Sequence, residues 1–279
     1  MPNTLKALPD LPGPLAGHET FLKENPGPDW LQGLRRHGAE RFAARGLPTP
    51  KLERWKYTNI LPLVGEYGAR LSAADVRYVD PDGLINKLMD VYERGAPQWL
   101  IDLQTEDPVS EKPLWDLCNA YIRDGLMIDV KPGEVHESPI HITIEGHDGA
   151  FFVPRTAFRL GEGSELTIIE HHTGEGRYWN NRLTQILVGK GAKLRHIRVQ
   201  EYSIDAVYTQ NTHVRVAAGG RYEALNFVTG AALSRFQLQV DLNEPGASAR
   251  FSAVHLVRGK QLADQSVVIN HNAPDCGCH

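Results

Sequence analysis

The chain has 279 residues, of which 41% are hydrophobic and 23% are charged, so it can bury the core of one or two domains. Its formal net charge of −4 shows no excess of the basic residues with which proteins bind nucleic acid. No apolar run approaches the ~18 residues of a membrane span, and prolines interrupt the N-terminus where a signal peptide would be apolar. Three cysteines are too few for a disulfide framework. We therefore expect a cytoplasmic protein with reduced thiols that binds neither nucleic acid nor membranes.

The N-terminal third of the chain is predicted to be helical. Residues 1–28 are rich in proline and glycine and are predicted to form a flexible arm with one short helix near residues 19–24. Residues 29–97 follow as a helical region. Helical spacing of apolar residues predicts one helix over 29–46 and a second over 80–95, and each ends at a glycine.

The remainder, residues 98–279, is predicted to be a β core that still contains one helix. Gln98–Gln104 alternates between apolar and polar residues like a strand, whereas Pro113–Arg123 has one apolar side like a helix. After Gly125 the apolar period changes from that of a helix to that of a strand. The boundary between the helical region and the β core therefore lies near residues 95–125.

Four strand-turn-strand units repeat within the β core. Their turn glycines, Gly163, Gly191, Gly219 and Gly246, are 28, 28 and 27 residues apart, and Gly133 marks a looser earlier copy. A period of this size is typical of repeat proteins, in which each unit buries its apolar face on the next. We interpret the repeat as a β-solenoid with two strands per coil. The repeat alone leaves an antiparallel sandwich open.

The common catalytic and nucleotide-binding motifs do not occur. Gly259-Lys260 is followed by Gln261 rather than by Ser or Thr, so it is not a Walker loop. The Gly-Glu-Gly pairs at Gly161 and Gly174 lack the third glycine of a dinucleotide fingerprint and are interpreted as turns. Neither HExxH nor GxSxG is present. We predict no catalytic, cofactor-binding or metal-binding residues in this chain.

Histidine is the one reactive residue type that is enriched, with twelve copies. His141 and His171 each follow a turn glycine by eight residues, a spacing that would let them stack on successive coils. His171 and His172 are adjacent, so in a strand they point to opposite faces and cannot be joint ligands. We interpret the strand histidines as solvated or hydrogen-bonded residues.

Two further segments combine residues that could bind a metal or a partner. His271, Cys276, Cys278 and His279 would suit a soft or borderline metal, but a C-x-C pair is tighter than the usual zinc spacing, and no metal site is assigned. Trp55-Lys56-Tyr57 could dock a partner. We favour the alternative in which Trp55 and Tyr57 anchor their extended segment to the rest of the chain.

Several stretches resemble the SufB/SufD family of the SUF iron–sulfur cluster assembly system. Residues 46–58, GLPTPKLERWKYT, are similar to the N-terminal signature of the SufD branch and favour it over SufB. Residues 114–142, the GEGSELTIIE segment from Gly161 and residues 264–276 are similar to the family's core. The resemblance implies a helical N-terminal region followed by a right-handed parallel β-helix.

The same resemblance implies a non-ATPase scaffold or assembly subunit that is not an enzyme. Its expected partners are a SufB-like subunit and a SufC-like ABC-type ATPase, with a homodimer as a further alternative, and an iron–sulfur cluster is expected only in the context of the complex. Family members continue past residue 279, so we expect a C-terminally truncated form with an incomplete β-helix. None of the family's functional residues is carried over to this chain.

Two functions of other classes remain open from the residues alone. A secreted-type polysaccharide-acting β-helix enzyme would use carboxylates along the coils, but the chain shows no signal peptide. A cupin-like sandwich that binds metal or sugar would use core histidines such as His141 and His171 as ligands.

Overall fold

The computed structural model describes residues 13–64, 71–73, 75–106 and 112–279. Strand accounts for 42% of the chain and helix for 22%, which confirms the mainly β class. An N-terminal helical region precedes a parallel β-solenoid of about six turns. The helices are α1 (His18–Glu24), α2 (Asp29–Arg45), α3 (Leu61–Val64), α4 (Leu88–Arg94), α5 (Gln98–Thr105) and α6 (Pro113–Ala120).

The strands follow the glycine-punctuated pattern closely. They are β1 (Asp75–Val79), β2 (Ile85–Lys87), β3 (Gly125–Val130), β4 (Ile140–Gly146), β5 (Phe151–Phe152), β6 (Arg155–Leu160), β7 (Glu165–Gly174), β8 (Trp179–Val188), β9 (Lys193–Gln200), β10 (Val207–Val216), β11 (Arg221–Val228), β12 (Leu233–Leu242), β13 (Ser248–His255), β14 (Leu262–His271) and β15 (Gly277–Cys278). Each of the four predicted cassettes corresponds to one consecutive pair of these strands.

Every coil contributes one strand to each of two sheets. Sheet A has eight strands. Seven of them lie in the order β14-β12-β10-β8-β6-β3-β2, so that β14 forms one edge, and the eighth, β5, pairs with β8. Sheet B has seven strands in the order β1-β4-β7-β9-β11-β13-β15. Strands of successive coils pair in parallel, whereas β1 pairs with β4 and β2 pairs with β3 in antiparallel orientation. The parallel pairing excludes the antiparallel sandwich.

The repeated glycines occupy equivalent corners of successive coils. Gly163, Gly191 and Gly219 have φ angles of 67°, 63° and 62°, a left-handed conformation that side chains other than glycine rarely adopt. The N–H of Gly163 donates to the carbonyl of Lys190 at 2.8 Å, and the N–H of Gly191 donates to the carbonyl of Ala218 at 2.8 Å. These glycines are therefore turn residues whose backbone also joins one coil to the next.

The two sheets differ in what covers them. The main apolar core lies between them, in the lumen of the solenoid. Strands β8 and β10 of sheet A are buried at nearly every position, because helix α6 and the N-terminal region pack on the outer face of that sheet. Strands β9 and β11 of sheet B alternate between buried inner residues and more exposed outer residues.

Most helix predictions are confirmed and two details are wrong. The helices predicted near 19–24, over 29–46 and over 113–123 correspond to α1, α2 and α6. Gln98–Gln104 is not a strand but most of α5, whose buried residues Leu100, Leu103 and Gln104 have helical spacing. The helix predicted over 80–95 begins only at Leu88, after the short strand β2.

The division into segments 1–28, 29–97 and 98–279 stays a prediction. Residues 1–12 of the predicted arm lie outside the described residues, and Phe21 and Leu22 later in the arm are buried. Within the part of the chain that the structure describes, no helix is both long and apolar enough to cross a membrane.

Candidate functional site

Charged and polar side chains fill the middle of the solenoid lumen. On β7 the inner positions change from apolar Leu166 and Ile168 to Glu170 and His172. The neighbouring strand of the same sheet, β9, adds His196 and Arg198, and Arg182 reaches in from β8 on sheet A. All are at most 3% exposed. We call this group the lumen cluster: Glu170, His172, Arg182, His196 and Arg198.

Glu170 is the only carboxylate of the lumen cluster and makes contact with three of its members. Its Oε1 accepts a hydrogen bond from Arg182 Nη2 at 2.5 Å. Its Oε2 lies 3.2 Å from His196 Nε2 and 3.5 Å from His172 Nε2. Burial alone would raise the pKa of the Glu170 carboxyl, but Arg182 and His196 outweigh it and hold that pKa well below its ordinary value. Glu170 is therefore ionised at neutral pH.

The two histidines of the lumen cluster are neutral. Burial lowers the pKa of His172 to about 4 and also lowers the pKa of His196, and the nearby Glu170 only partly opposes this. His172 Nδ1 lies 3.2 Å from the Tyr202 hydroxyl, and His196 Nδ1 lies 3.3 Å from the Tyr222 hydroxyl. A His196 tautomer with its proton on Nε2 can accept from Tyr222 at Nδ1 and turns its N–H towards Glu170, although His196 Nε2 and Glu170 Oε2 do not form a hydrogen bond in this structure.

Arg198 is the second buried cation of the lumen cluster, and it contacts three neutral side chains. Its Nε donates to Asn226 Oδ1 at 2.9 Å and its Nη1 donates to Thr212 Oγ1 at 3.2 Å. Its guanidinium also lies 4.0 Å from the centre of the Phe236 ring, a cation–π contact. The lumen cluster thus contains two arginines and one carboxylate, so its net charge is positive.

The polar layer is bounded by apolar layers along the solenoid. A ladder of Thr156, Thr184 and Thr212 runs through three consecutive strands in register, and Arg182 Nη2 donates to Thr156 Oγ1 at 2.7 Å. The ladder is continued by Leu126 on one side and Leu238 on the other, both buried. A slip in strand register would leave buried charges unpaired. The lumen cluster therefore specifies how the central coils align.

A cleft of about 180 Å³ lies on the other side of sheet A, lined by Arg54, Trp55, Lys112 and Gln237 among others. Lys112 Nζ donates to Gln239 Oε1 at 3.0 Å. Burial and then the charge of Arg54 lower the pKa of Lys112 to about 8. This cleft places a nearly buried amine where the N-terminal region meets the solenoid.

The predicted stacking of His141 and His171 is wrong. His141 pairs with Ile169, and His171 pairs with Thr143. Val135 precedes its bridge partner Glu165 by 30 residues in the sequence, the same separation as between Gly133 and Gly163. Ile140 precedes its strand partner Ile168 by only 28 residues. Two additional residues between Val135 and Ile140 therefore shift the register of β4.

The prediction that His171 and His172 point to opposite faces is confirmed. His171 lies on the outer face of sheet B, where its Nε2 is 2.6 Å from Glu201 Oε2 and its side chain is 43% exposed. His172 is fully buried in the lumen. Neither the lumen cluster nor its acidic member was predicted from the sequence.

Trp55 and Tyr57 have different roles. Trp55 is 4% exposed and the Arg235 guanidinium lies 4.1 Å from the centre of its ring, so its predicted anchoring role is confirmed. Tyr57 is 84% exposed, and the same prediction is wrong for it. Next to it, the Thr58 hydroxyl donates to Asp264, which ties this segment to β14.

The residues near the end of the sequence lie in the last coil. Cys276 Sγ is 3.4 Å from the Glu244 carbonyl, Cys278 pairs with Ala249, and the N–H of His279 donates to the Ala249 carbonyl at 3.1 Å. His271 ends β14. Over residues 13–64, 71–73, 75–106 and 112–279, no three His, Cys, Asp or Glu side chains are grouped to hold a metal ion.

The solenoid is similar to one family of known proteins. Residues 142–279 match the model of the SufBD core domain of the SUF system for FeS cluster assembly. The iron-sulfur cluster assembly protein SufD of Escherichia coli is 24% identical over 262 residues, which cover 85% of this chain and 62% of that protein. Protein ABCI7, chloroplastic, of Arabidopsis thaliana is 28% identical over 170 residues, which cover 56% of this chain and 36% of that protein.

A further relative is an iron-sulfur cluster assembly SufBD family protein of Synechocystis, 25% identical over 171 residues. These residues cover 56% of this chain and 38% of that protein. The chain thus spans between about a third and just under two thirds of the length of these three relatives. The resemblance that the sequence motifs indicated is confirmed.

Proposed function

We propose, from the premise that this chain is a SufD-like protein carrying the SufBD core domain, that it is a non-ATPase scaffold subunit in iron–sulfur cluster assembly. Its partners would be a SufB-like subunit and a SufC-like ABC-type ATPase. A cluster would be bound only by the assembled complex. The comparisons give no support to the polysaccharide-acting alternative, because the Escherichia coli and Synechocystis relatives are named as an iron–sulfur cluster assembly protein and a member of the cluster assembly SufBD family.

The observation that carries the proposal is the extent of the family match. The matched region begins at Ile142 within β4 and includes every later coil of the solenoid. It contains the lumen cluster, whose titratable groups are buried and therefore not accessible to a substrate in this conformation. A stack of coils whose charged groups are closed off from solvent suits a scaffold better than a catalyst.

The test is reconstitution with the SufB-like and SufC-like proteins of the same organism, followed by size-exclusion chromatography and calorimetry. We expect this chain to elute together with the SufB-like protein. Failure to bind either protein, alone or together, would refute the scaffold role.

A cytoplasmic location is part of the proposal. Cys118, Cys276 and Cys278 are all free thiols, which suits a reducing compartment. Fractionation of cells with an antibody against this chain tests the location, and recovery of the protein in a secreted or periplasmic fraction would contradict it.

A further inference from the structure

The cleft on the outer side of sheet A is built from three parts of the chain. A 3₁₀ turn at Glu53–Trp55 supplies Arg54, the residue before α6 supplies Lys112, and β12 supplies Gln237. We call this site the α6 cleft. Its volume of about 180 Å³ corresponds to about six water molecules. The α6 cleft thus has room for a small acid but not for a nucleotide or another ligand of that size.

Contacts with buried groups hold the lining residues of the α6 cleft in place. The Arg235 guanidinium lies 4.1 Å from the centre of the Trp55 ring, and its Nη2 donates to the Arg54 carbonyl at 2.5 Å. The Lys112 carbonyl accepts a hydrogen bond from the N–H of Trp115 at 2.9 Å, at the N-terminus of α6. A ligand therefore meets residues that are already ordered, which lowers the entropic cost of binding.

The two cations of the α6 cleft have no carboxylate partner among the residues that the structure describes. Lys112 is 8% exposed, and its Nζ donates to the neutral Gln239 amide at 3.0 Å. The same Nζ lies 5.1 Å from the centre of the Trp115 ring, a cation–π contact. Arg54 is exposed and forms no ion pair with a described residue. Two positive charges thus line one small space without a counter-charge.

Nearby acidic residues do not neutralise these cations. Asp241 Oδ2 already lies 2.5 Å from His213 Nε2. Glu53 also lines the α6 cleft. Burial and then the charge of Arg54 lower the pKa of Lys112 to about 8, and the acidic group that opposes them is Asp241 rather than Glu53. A bound carboxylate would supply the counter-charge that the α6 cleft lacks.

The remaining lining of the α6 cleft is apolar and comes from four residues: Leu52, Trp55, Pro113 and Leu114. Leu52 is 37% exposed, so part of its side chain is free to cover a ligand. An inorganic anion would leave this apolar surface in contact with water, whereas an apolar body next to the charged group would bury it. The lining therefore favours an organic acid over phosphate or sulfate.

We propose that the α6 cleft binds a small carboxylate that has an apolar body. The carboxylate lies between Arg54 and Lys112, and the apolar body packs on Leu52 and Leu114. A guanidinium can donate two parallel hydrogen bonds to a carboxylate, and an ammonium adds a point charge. A free short-chain acid presents this chemistry, and so does the C-terminal residue of a peptide that ends in leucine. The inference does not depend on the proposed role in cluster assembly.

Titration of the full chain with 4-methylpentanoate, followed by ligand-observed NMR, tests the proposal. An acid with about eight non-hydrogen atoms cannot bind tightly, so we expect a Kd of about 0.1 to 1 mM. The amide of the same acid keeps the shape without the charge and should bind roughly tenfold more weakly. Acetate keeps the charge without the apolar body and should also bind roughly tenfold more weakly.

Variants of the two cations assign the binding to the α6 cleft. Lys112→Met and Arg54→Gln should each raise the Kd for 4-methylpentanoate roughly tenfold. Arg54→Gln keeps the backbone carbonyl that Arg235 contacts, so it tests the site even if Lys112→Met does not fold. Lys51→Gln is the matched control, because Lys51 is exposed, does not line the α6 cleft and should leave the Kd unchanged. Circular dichroism checks that each variant is folded.

Two peptides that end in leucine, one with a free C-terminus and one amidated, identify the source of the carboxylate. Tighter binding of the free peptide than of 4-methylpentanoate, lost on amidation, would assign the α6 cleft to a protein C-terminus. Tighter binding of 4-methylpentanoate would assign it to a free acid. The proposal is overturned if 4-methylpentanoate does not bind at about 20 mM, or if its amide or inorganic phosphate binds equally well. It is also overturned if neither Lys112→Met nor Arg54→Gln changes the Kd.

Discussion

The Glu170 carboxylate and the Arg182 guanidinium face each other across the solenoid lumen, with Oε1 and Nη2 2.5 Å apart and neither side chain more than 1% exposed. Removing both charges from water is costly, so such a pair contributes little more to stability than two well-packed apolar residues would. Removing only one partner is different, because an uncompensated charge then remains in the core.

Glu170→Gln should therefore lower the free energy of unfolding by about 3 to 5 kcal/mol, since it leaves Arg182 and Arg198 without a buried counter-charge. Urea denaturation measures the change. Glu145→Gln is the control: its partner Arg77 is 65% exposed, and the loss of that surface pair should cost less than about 1 kcal/mol. Equal losses for the two variants would show that the lumen cluster does not carry a paired charge.

Stability should also fall on mild acidification because of His172. The folded-state pKa of His172 is about 4, below its ordinary value of 6.5, so the unfolded chain takes up a proton first as the pH falls. The free energy of unfolding therefore has its full value above pH 6.5 and falls towards pH 4, by an amount on the order of 3 kcal/mol for this histidine. The depressed pKa of Glu170 adds a further loss at lower pH.

Unfolding curves recorded across this pH range provide the measurement, and His172→Gln provides the comparison. Gln keeps a donor and an acceptor but does not titrate, so the variant should show a shallower dependence on pH between 6.5 and 4. His196 and His18, whose pKa values are also lowered by burial, account for the slope that remains. An unchanged slope in the variant would assign the acid sensitivity to other groups.

Helix α2 contains two glycines with opposite expected responses to alanine. A Cβ at Gly38 would lie 2.6 Å from the Ala120 backbone nitrogen and 2.7 Å from the Asp116 carbonyl, because α2 and α6 touch there. Gly38→Ala should lower stability by about 1 to 3 kcal/mol. A Cβ at Gly33 would have no described atom within 4 Å apart from its chain neighbours and the helix's own backbone, and Gly33→Ala should raise stability by about 0.5 to 1 kcal/mol. Thermal unfolding of both variants tests the close helix contact.

The three thiols should react at different rates. Cys118 is 1% exposed, its Sγ donates to the Asn181 carbonyl at 3.3 Å, and burial raises the pKa of its thiol. It should therefore react with a thiol reagent only after unfolding, whereas Cys278 is exposed and should react in the native protein. Spectroscopic thiol titration with Cys278→Ser as the comparison checks this. Fast native labelling of Cys118 would mean that α6 opens readily.

Much of the architecture could be predicted because the corners of a solenoid leave a periodic signal. A left-handed turn needs glycine, so Gly163, Gly191 and Gly219 recur at the length of one coil. The helix α5 was missed because the short stretch Gln98–Gln104 fits an alternating pattern as well as a helical one. The false stacking of His141 on His171 arose because a glycine spacing cannot reveal two residues added after the turn.

The lumen cluster was not predicted because glutamate and arginine are usually assigned to the solvent face of a strand. The alternation itself contained the missed signal. Leu166 and Ile168 define the inner face of β7, and the same period places Glu170 and His172 on that face. The partner Arg182 could not be identified in this way, because it depends on which strand of the opposite sheet lies across the lumen.

The glycine corners also bear on where this fold can change length. At these corners the backbone of one coil is hydrogen-bonded to the next, from Gly163 to Lys190 and from Gly191 to Ala218. An inserted residue would have to break contacts in two coils at once. The opposite corners range from four residues between β7 and β8 to six between β9 and β10. Evolutionary insertions, affinity tags and engineered loops should therefore be tolerated better at the second set of corners, whose length varies, than at the Gly163 and Gly191 corners, which have four residues each.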